Sequence, residues 1–94
     1  IFETKGAHDL AIADFTQVIQ IKPQDADAYL NRGLAYRAKE EIDNAIADYS
    51  KAIDLNPRYA NALLNRGIAY QSKGDHDRAI TDYTSQPTAR RRFH

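Results

Sequence analysis

Ninety-four residues are enough for one small domain, close to the size at which a single apolar core just holds itself together. Apolar residues make up 43%, much of it alanine, and no apolar run approaches the roughly 20 residues that cross a bilayer, so no membrane partner is expected. Thirteen basic residues balance thirteen acidic ones, which leaves no net field to draw nucleic acid, and the absence of cysteine excludes disulfides, thiolate catalysis and cysteine-ligated zinc.

In chain order, Ile1–Lys5 reads as the remnant of a helix, and Gly6 fits the left-handed position that ends one. Beginning at Ile1 without a methionine, the chain reads as a fragment or a processed product. A helix is predicted over Ala7–Ile21, and Pro23 prevents it from running on. The next, Ala26–Lys39, is apolar over a wide arc (Ala28, Tyr29, Leu30, Gly33, Leu34, Ala35, Tyr36), as suits a helix with neighbours on two sides. Lys39-Glu40-Glu41 makes a tight turn. Glu40 stands there where Gly6 and Gly74 stand elsewhere, so a small backbone strain is expected at it. Over Ile42–Leu55 the residues Ile42, Ala45, Ile46, Tyr49, Ala52 and Ile53 step by three and four along one stripe, and Pro57 closes the segment. Helices over Ala60–Lys73 and Asp75–Gln86 follow, joined by a turn at Lys73-Gly74-Asp75. From Pro87 the pattern dissolves, and residues 87–94, with Arg90-Arg91-Arg92, read as a solvated basic tail.

These elements repeat. Shifted by 34 residues, Ala26–Tyr49 matches Ala60–Tyr83 at 14 of 24 positions, and Asp9–Phe15 is a partial third copy of Asp43–Tyr49. Pro23 and Pro57 share the same spacing. The unit is a helical hairpin that cannot bury its own apolar stripe, so stability must come from stacking on the next unit. Gly33, Gly67, Ala45 and Ala79 fall where helices must approach closely. Tyr36, Tyr49, Tyr70 and Tyr83 are expected to fill the gaps between hairpins, each hydroxyl reaching the surface.

The pattern resembles the tetratricopeptide (TPR) repeat, with its aromatic, Gly, Tyr, Ala, aromatic and Pro at fixed offsets. One unit supplies Tyr29, Gly33, Tyr36, Ala45, Tyr49 and Pro57; the next supplies Gly67, Tyr70, Ala79 and Tyr83; the first, entering late, supplies Phe2, Ala11, Phe15 and Pro23. Departures are Arg32 and Arg66 where leucine is commonest, Leu63 for the aromatic, and Val18 for a small residue. The resemblance runs from Ile1 to about Ser85. It implies an all-α, right-handed α-solenoid of stacked antiparallel hairpins, about two and a half units. The divisions are a partial repeat over 1–25, a full one over 26–59 and a C-terminally degenerate one over 60–86.

Nothing in the sequence supports chemistry. His8 and His76 occupy a repeat position that holds Ile42 in the middle unit, a packing position near the helix turn, and His94 is terminal. Asp14, Asp48 and Asp82 form one row and Asp9, Asp43 and Asp77 another. One carboxylate per hairpin is too sparse to coordinate an ion, and the second row is expected in first helical turns, where the helix dipole favours negative charge. No cofactor is expected, and the chain is read as a non-enzyme.

The resemblance implies recognition of a protein or peptide on the concave surface lined by first helices. Asn31 and Asn65, in two identical Leu-Asn-Arg-Gly strings, are the leading candidates, because an amide side chain offers a donor and an acceptor to a peptide bond. Leu34, Arg37, Asn61, Ile68 and Gln71 complete the predicted binding set, with Asp27, Ala38, Leu64 and Ser72 beside them. The family's carboxylate clamp, which grips acidic chaperone tails, needs cations where this chain has Asn61 and Asn65, so that partner is not expected. The competing reading is a self-associating module, a homo-oligomer formed through unfinished ends at which Ile12, Phe15 and Ile19 are only partly covered.

Overall fold

A computed structural model describes residues 4–85, all of whose regular structure is helical: α1 (Thr4–Ile21), α2 (Ala26–Ala38), α3 (Ile42–Leu55), α4 (Ala60–Ser72) and α5 (His76–Thr84). Consecutive helices pack on one another, α2 with α3 and α4 with α5 as hairpins, while α1 stacks on α2 and α3 on α4. The result is an α-solenoid of about two and a half units.

Local chemistry sets each boundary. Asp25 precedes α2 and its carboxylate accepts from the Ala28 amide at 3.1 Å; Asp75 does the same for Arg78 ahead of α5 at 3.2 Å, so each satisfies one orphan donor of a first turn. The α2–α3 and α4–α5 turns share one geometry. The Glu41 amide donates back to the Tyr36 carbonyl and Glu40 to Arg37, with Asp75 to Tyr70 and Gly74 to Gln71 in the second copy. That closure needs a left-handed residue, and Gly74 (φ 85°) and Glu40 (φ 64°) both adopt it. For Glu40 the left-handed conformation costs about 1–2 kcal/mol, the strain expected from its sequence position.

Gly6 behaves otherwise. The predicted turn there does not form, and α1 runs unbroken from Thr4 through Gly6 to Ile21. Continuing the existing helix adds hydrogen bonds at a penalty of only about 1 kcal/mol for one interior glycine. Asp9 consequently sits within α1 rather than in a first turn, unlike Asp43 and Asp77. Ile1–Glu3, Gln86 and residues 87–94 lie outside the described residues, so the predicted remnant helix, the end of the last helix and the tail fall largely there.

The core is built from small residues and rings. Ala45, Ala52, Ala62 and Ala69 are fully enclosed around Leu30 and Tyr49, with Leu34, Tyr36, Ile42, Ile46, Ile53 and Tyr59 at its margin. A Cβ at Gly33 would lie 2.7 Å from Cε1 of Tyr49, and one at Gly67 2.6 Å from Cε1 of Tyr83, so each glycine is the seat of a ring from its partner helix. Tyr49 corrects one expectation. Its hydroxyl does not reach the surface but is buried, with no hydrogen-bond partner among the described residues. Burial raises its pKa accordingly.

Candidate functional site

The first helices of successive hairpins are tied side by side: Tyr59, at the head of α4, donates its hydroxyl to Asp27 in the first turn of α2. Burial, and then that bond to a carboxylate, lift the Tyr59 phenol to about 12. On the helices so joined, Asn31, Arg37, Asn61, Ile68 and Gln71 are exposed, and Leu34 and Asn65 are half-buried. Leu64 and Ile68, one turn apart on α4, are 41% and 37% exposed, an apolar strip beside the amides.

The polar groups of this set are not equally free. Asn65 donates its side-chain amide to the Asn61 carbonyl at 2.7 Å, which leaves its oxygen and one hydrogen for a ligand. Gln71 accepts the Tyr83 hydroxyl at 2.8 Å through its amide oxygen, which leaves its amide nitrogen as the donor. Asn31 makes no side-chain hydrogen bond among the described residues. The surface is therefore amide-rich and apolar, with Arg37 as its cation.

Arg32 and Arg66, departures from the repeat pattern by sequence, organise the stack. Arg32 grips Asp48 through Nε and Nη2, both at 2.8 Å, and donates Nη1 to Thr16 of the preceding hairpin at 3.1 Å. Arg66 repeats this with Asp82, at 2.8 and 2.7 Å, and with Ser50 at 3.1 Å. Each guanidinium also lies over a ring, Arg32 between Tyr29 and Tyr36 and Arg66 over Tyr70, at 5.7–5.8 Å from the centroids. The carboxylate bond dominates the burial cost and raises the pKa of both arginines. A second tie joins hairpins at the turns, where Lys39 pairs with Asp9 and Lys73 with Asp43. Asp48 and Asp82 of one aspartate row, and Asp9 and Asp43 of the other, are thus structural partners of basic residues. The pairing was legible as a shared 16-residue spacing, Arg32 to Asp48 and Arg66 to Asp82.

His8 is half-buried and His76 exposed at the head of α5, so His76 does not pack as Ile42 does in the middle unit. Among the described residues, no cluster of three or more His, Cys, Asp or Glu could hold a metal, and no helix is long and apolar enough to cross a membrane.

The TPR repeat family matches residues 2–39 and 33–74. This chain belongs to it. TPR repeats generally mediate protein–protein interaction and are generally non-enzymatic scaffolds. Similar solved structures include MamA, with a TM-score of 0.86 and 30% identity over 92% of this chain and 50% of that one. MamA 41-end from Desulfovibrio magneticus RS-1 is alike, with a TM-score of 0.85 and 30% identity over 93% and 49%. This TPR chain therefore spans about half the length of these relatives. No curated protein matches its sequence.

Proposed function

We propose that this TPR chain is a protein-interaction scaffold that holds a peptide segment along the α2–α4 face without chemical turnover. The observation that supports it best is the pairing of exposed apolar surface, Leu64 and Ile68, with outward amides at Asn31, Asn61 and Gln71. Apolar side chains of a ligand would sit against Leu34, Leu64 and Ile68. Its main chain would exchange hydrogen bonds with Asn31 and with the free oxygen of Asn65. Arg37 adds one cation, so binding should be only weakly sensitive to salt.

The test begins with a peptide selected by phage display against the wild-type chain, its affinity read by fluorescence anisotropy. Asn31→Ala and Asn65→Ala should each weaken binding by about 1–3 kcal/mol, since each leaves a desolvated partner unpaired. Helicity should not change. Equal affinity in the double variant removes the asparagines from the site.

A second reading, self-association, is favoured by exposed apolar residues on the last described hairpin. Leu64 and Ile80 are 41% and 58% exposed, whereas Leu30, the counterpart of Leu64, is buried and Ile46, the counterpart of Ile80, half-buried. Light scattering over a dilution series from about millimolar to micromolar decides it. A monomer throughout eliminates this reading.

A further inference from the structure

Tyr49 and Tyr83 each stand 12 residues after a polar residue of the α2–α4 face, Arg37 in one copy and Gln71 in the other. The two copies treat the tyrosine differently. Tyr83 donates its hydroxyl to the Gln71 oxygen at 2.8 Å. The Tyr49 ring lies on Gly33, one helical turn before Arg37, but a guanidinium carries donors only and cannot accept a phenolic proton. That hydroxyl is left buried with no partner among the described residues. Burial raises its pKa, and the charge of Arg37 acts on it in the opposite direction. Arg37 is exposed and, unlike Arg32, Arg66 and Arg78, makes no ion pair among the described residues.

The last turns of α2 and α4 therefore present donors without free acceptors. These are the Arg37 guanidinium, the Tyr49 hydroxyl and the amide nitrogen of Gln71, whose oxygen is taken by Tyr83. Nearer the heads of the same helices, Asn31, Asn61 and Asn65 offer donors and acceptors together. The carboxylates of the adjoining turn do not answer the donors. Glu41 pairs with Lys39 at 3.0 Å, and Glu40 makes no ion pair among the described residues.

On the peptide-binding face proposed above, on which this rests, we propose that the Arg37 end selects a ligand bearing an aspartate or glutamate side chain. Its carboxylate pairs with Arg37 and accepts the hydrogen bond that Tyr49 otherwise has nothing to receive. A carboxylate is an acceptor only, the complement of a donor-only cluster, and bonds to it are charge-assisted. An asparagine or glutamine of the ligand would set its own N–H groups against these donors, and a lysine or arginine would oppose Arg37. Being exposed and unpaired, Arg37 is free to turn toward the carboxylate and open the hydroxyl beneath it. Tyr49, a core residue by burial, thereby acts as a specificity residue of the face.

The probe is a phage library of random 12-residue peptides, selected against the full wild-type chain, with affinities read by fluorescence anisotropy. The peptides selected should share one acidic position, and replacing that residue by its amide should weaken binding about tenfold. Arg37→Gln, which recreates the Gln71–Tyr83 pair in the first copy, should erase the difference between the acid and amide forms. Tyr49→Phe should weaken the acid form by about tenfold and leave the amide form unchanged, a pattern that general loosening of the core does not give. Peptides that depend on Asn31 or Asn65 but share no acidic residue overturn the proposal and leave the peptide-binding reading intact. An acid-to-amide difference that survives both Arg37→Gln and Tyr49→Phe overturns it as well. Peptides indifferent to Asn31, Asn65 and Arg37 remove the face itself, and the acid preference with it.

Discussion

Replacing Gly33 and Gly67 by alanine should separate two positions that the sequence presents as equivalent. A methyl group at Gly33 would stand 2.7 and 2.9 Å from Cε1 and Cδ1 of Tyr49 and 3.2 Å from the Asp48 Cβ. Tyr49 is completely buried and cannot swing aside, and moving Asp48 disturbs the grip of Arg32. Overpacking of this kind costs about 1–3 kcal/mol, while alanine in a helix returns about 1 kcal/mol relative to glycine. Gly33→Ala should therefore destabilise, by up to about 2 kcal/mol. At Gly67 the contact is as close, 2.6 Å to Cε1 of Tyr83, but that ring is only half-buried and its hydroxyl bonds to the exposed Gln71. It can rotate away, so Gly67→Ala should be neutral or stabilising by up to about 1 kcal/mol. Urea unfolding followed by circular dichroism measures both. In a melt, each kcal/mol corresponds to about 4–8 °C for a chain of this size. Equal effects at the two sites, or a more stable Gly33→Ala, would refute the reasoning that burial of the facing ring decides the cost.

Three further outcomes follow from the same contacts. Tyr49→Phe should be neutral or stabilising by up to about 1 kcal/mol in urea unfolding, because it removes a buried hydroxyl without a partner; a clear loss would reveal a bond to that hydroxyl. Arg32→Leu, which restores the commonest residue of the repeat, should destabilise by about 2–4 kcal/mol by leaving Asp48 buried and unpaired. Adding Asp48→Leu should recover part of that loss, and additive effects in the double-mutant cycle would mean the pair is not coupled. The contribution of Tyr59 should be fully present below its ordinary value near 10 and lost as pH rises through about 12, since its folded pKa is the higher one. Urea midpoints should fall across that window, and less so in Tyr59→Phe; an identical fall in both would assign the alkaline loss to other groups.

Much of this protein is readable in one dimension. A 34-residue period, helical spacing and punctuation by proline and glycine placed α2 to α5 to within a residue or two, because helices and their ends depend on residues within about four positions of each other. The same locality foretold the left-handed strain at Glu40. The candidate binding residues were legible only as positions on a helix. That the Asn65 amide is turned onto Asn61, and the Gln71 oxygen onto Tyr83, depends on how exposed side chains settle against their neighbours. Arg32 and Arg66 mark the boundary most clearly. Beside a leucine-preferring repeat position each looks like an exception, and what it does depends on a carboxylate 16 residues onward and a hydroxyl 16 residues back. Only stacking brings those three groups within 3.1 Å. The orphaned hydroxyl of Tyr49 and the Gln71-bonded hydroxyl of Tyr83 make the same point, since one residue type at one repeat position is buried in the first case and half-exposed in the second. Helices could be drawn from near neighbours along the chain, whereas burial and charge pairing are properties of surfaces that exist only after the hairpins have closed on one another.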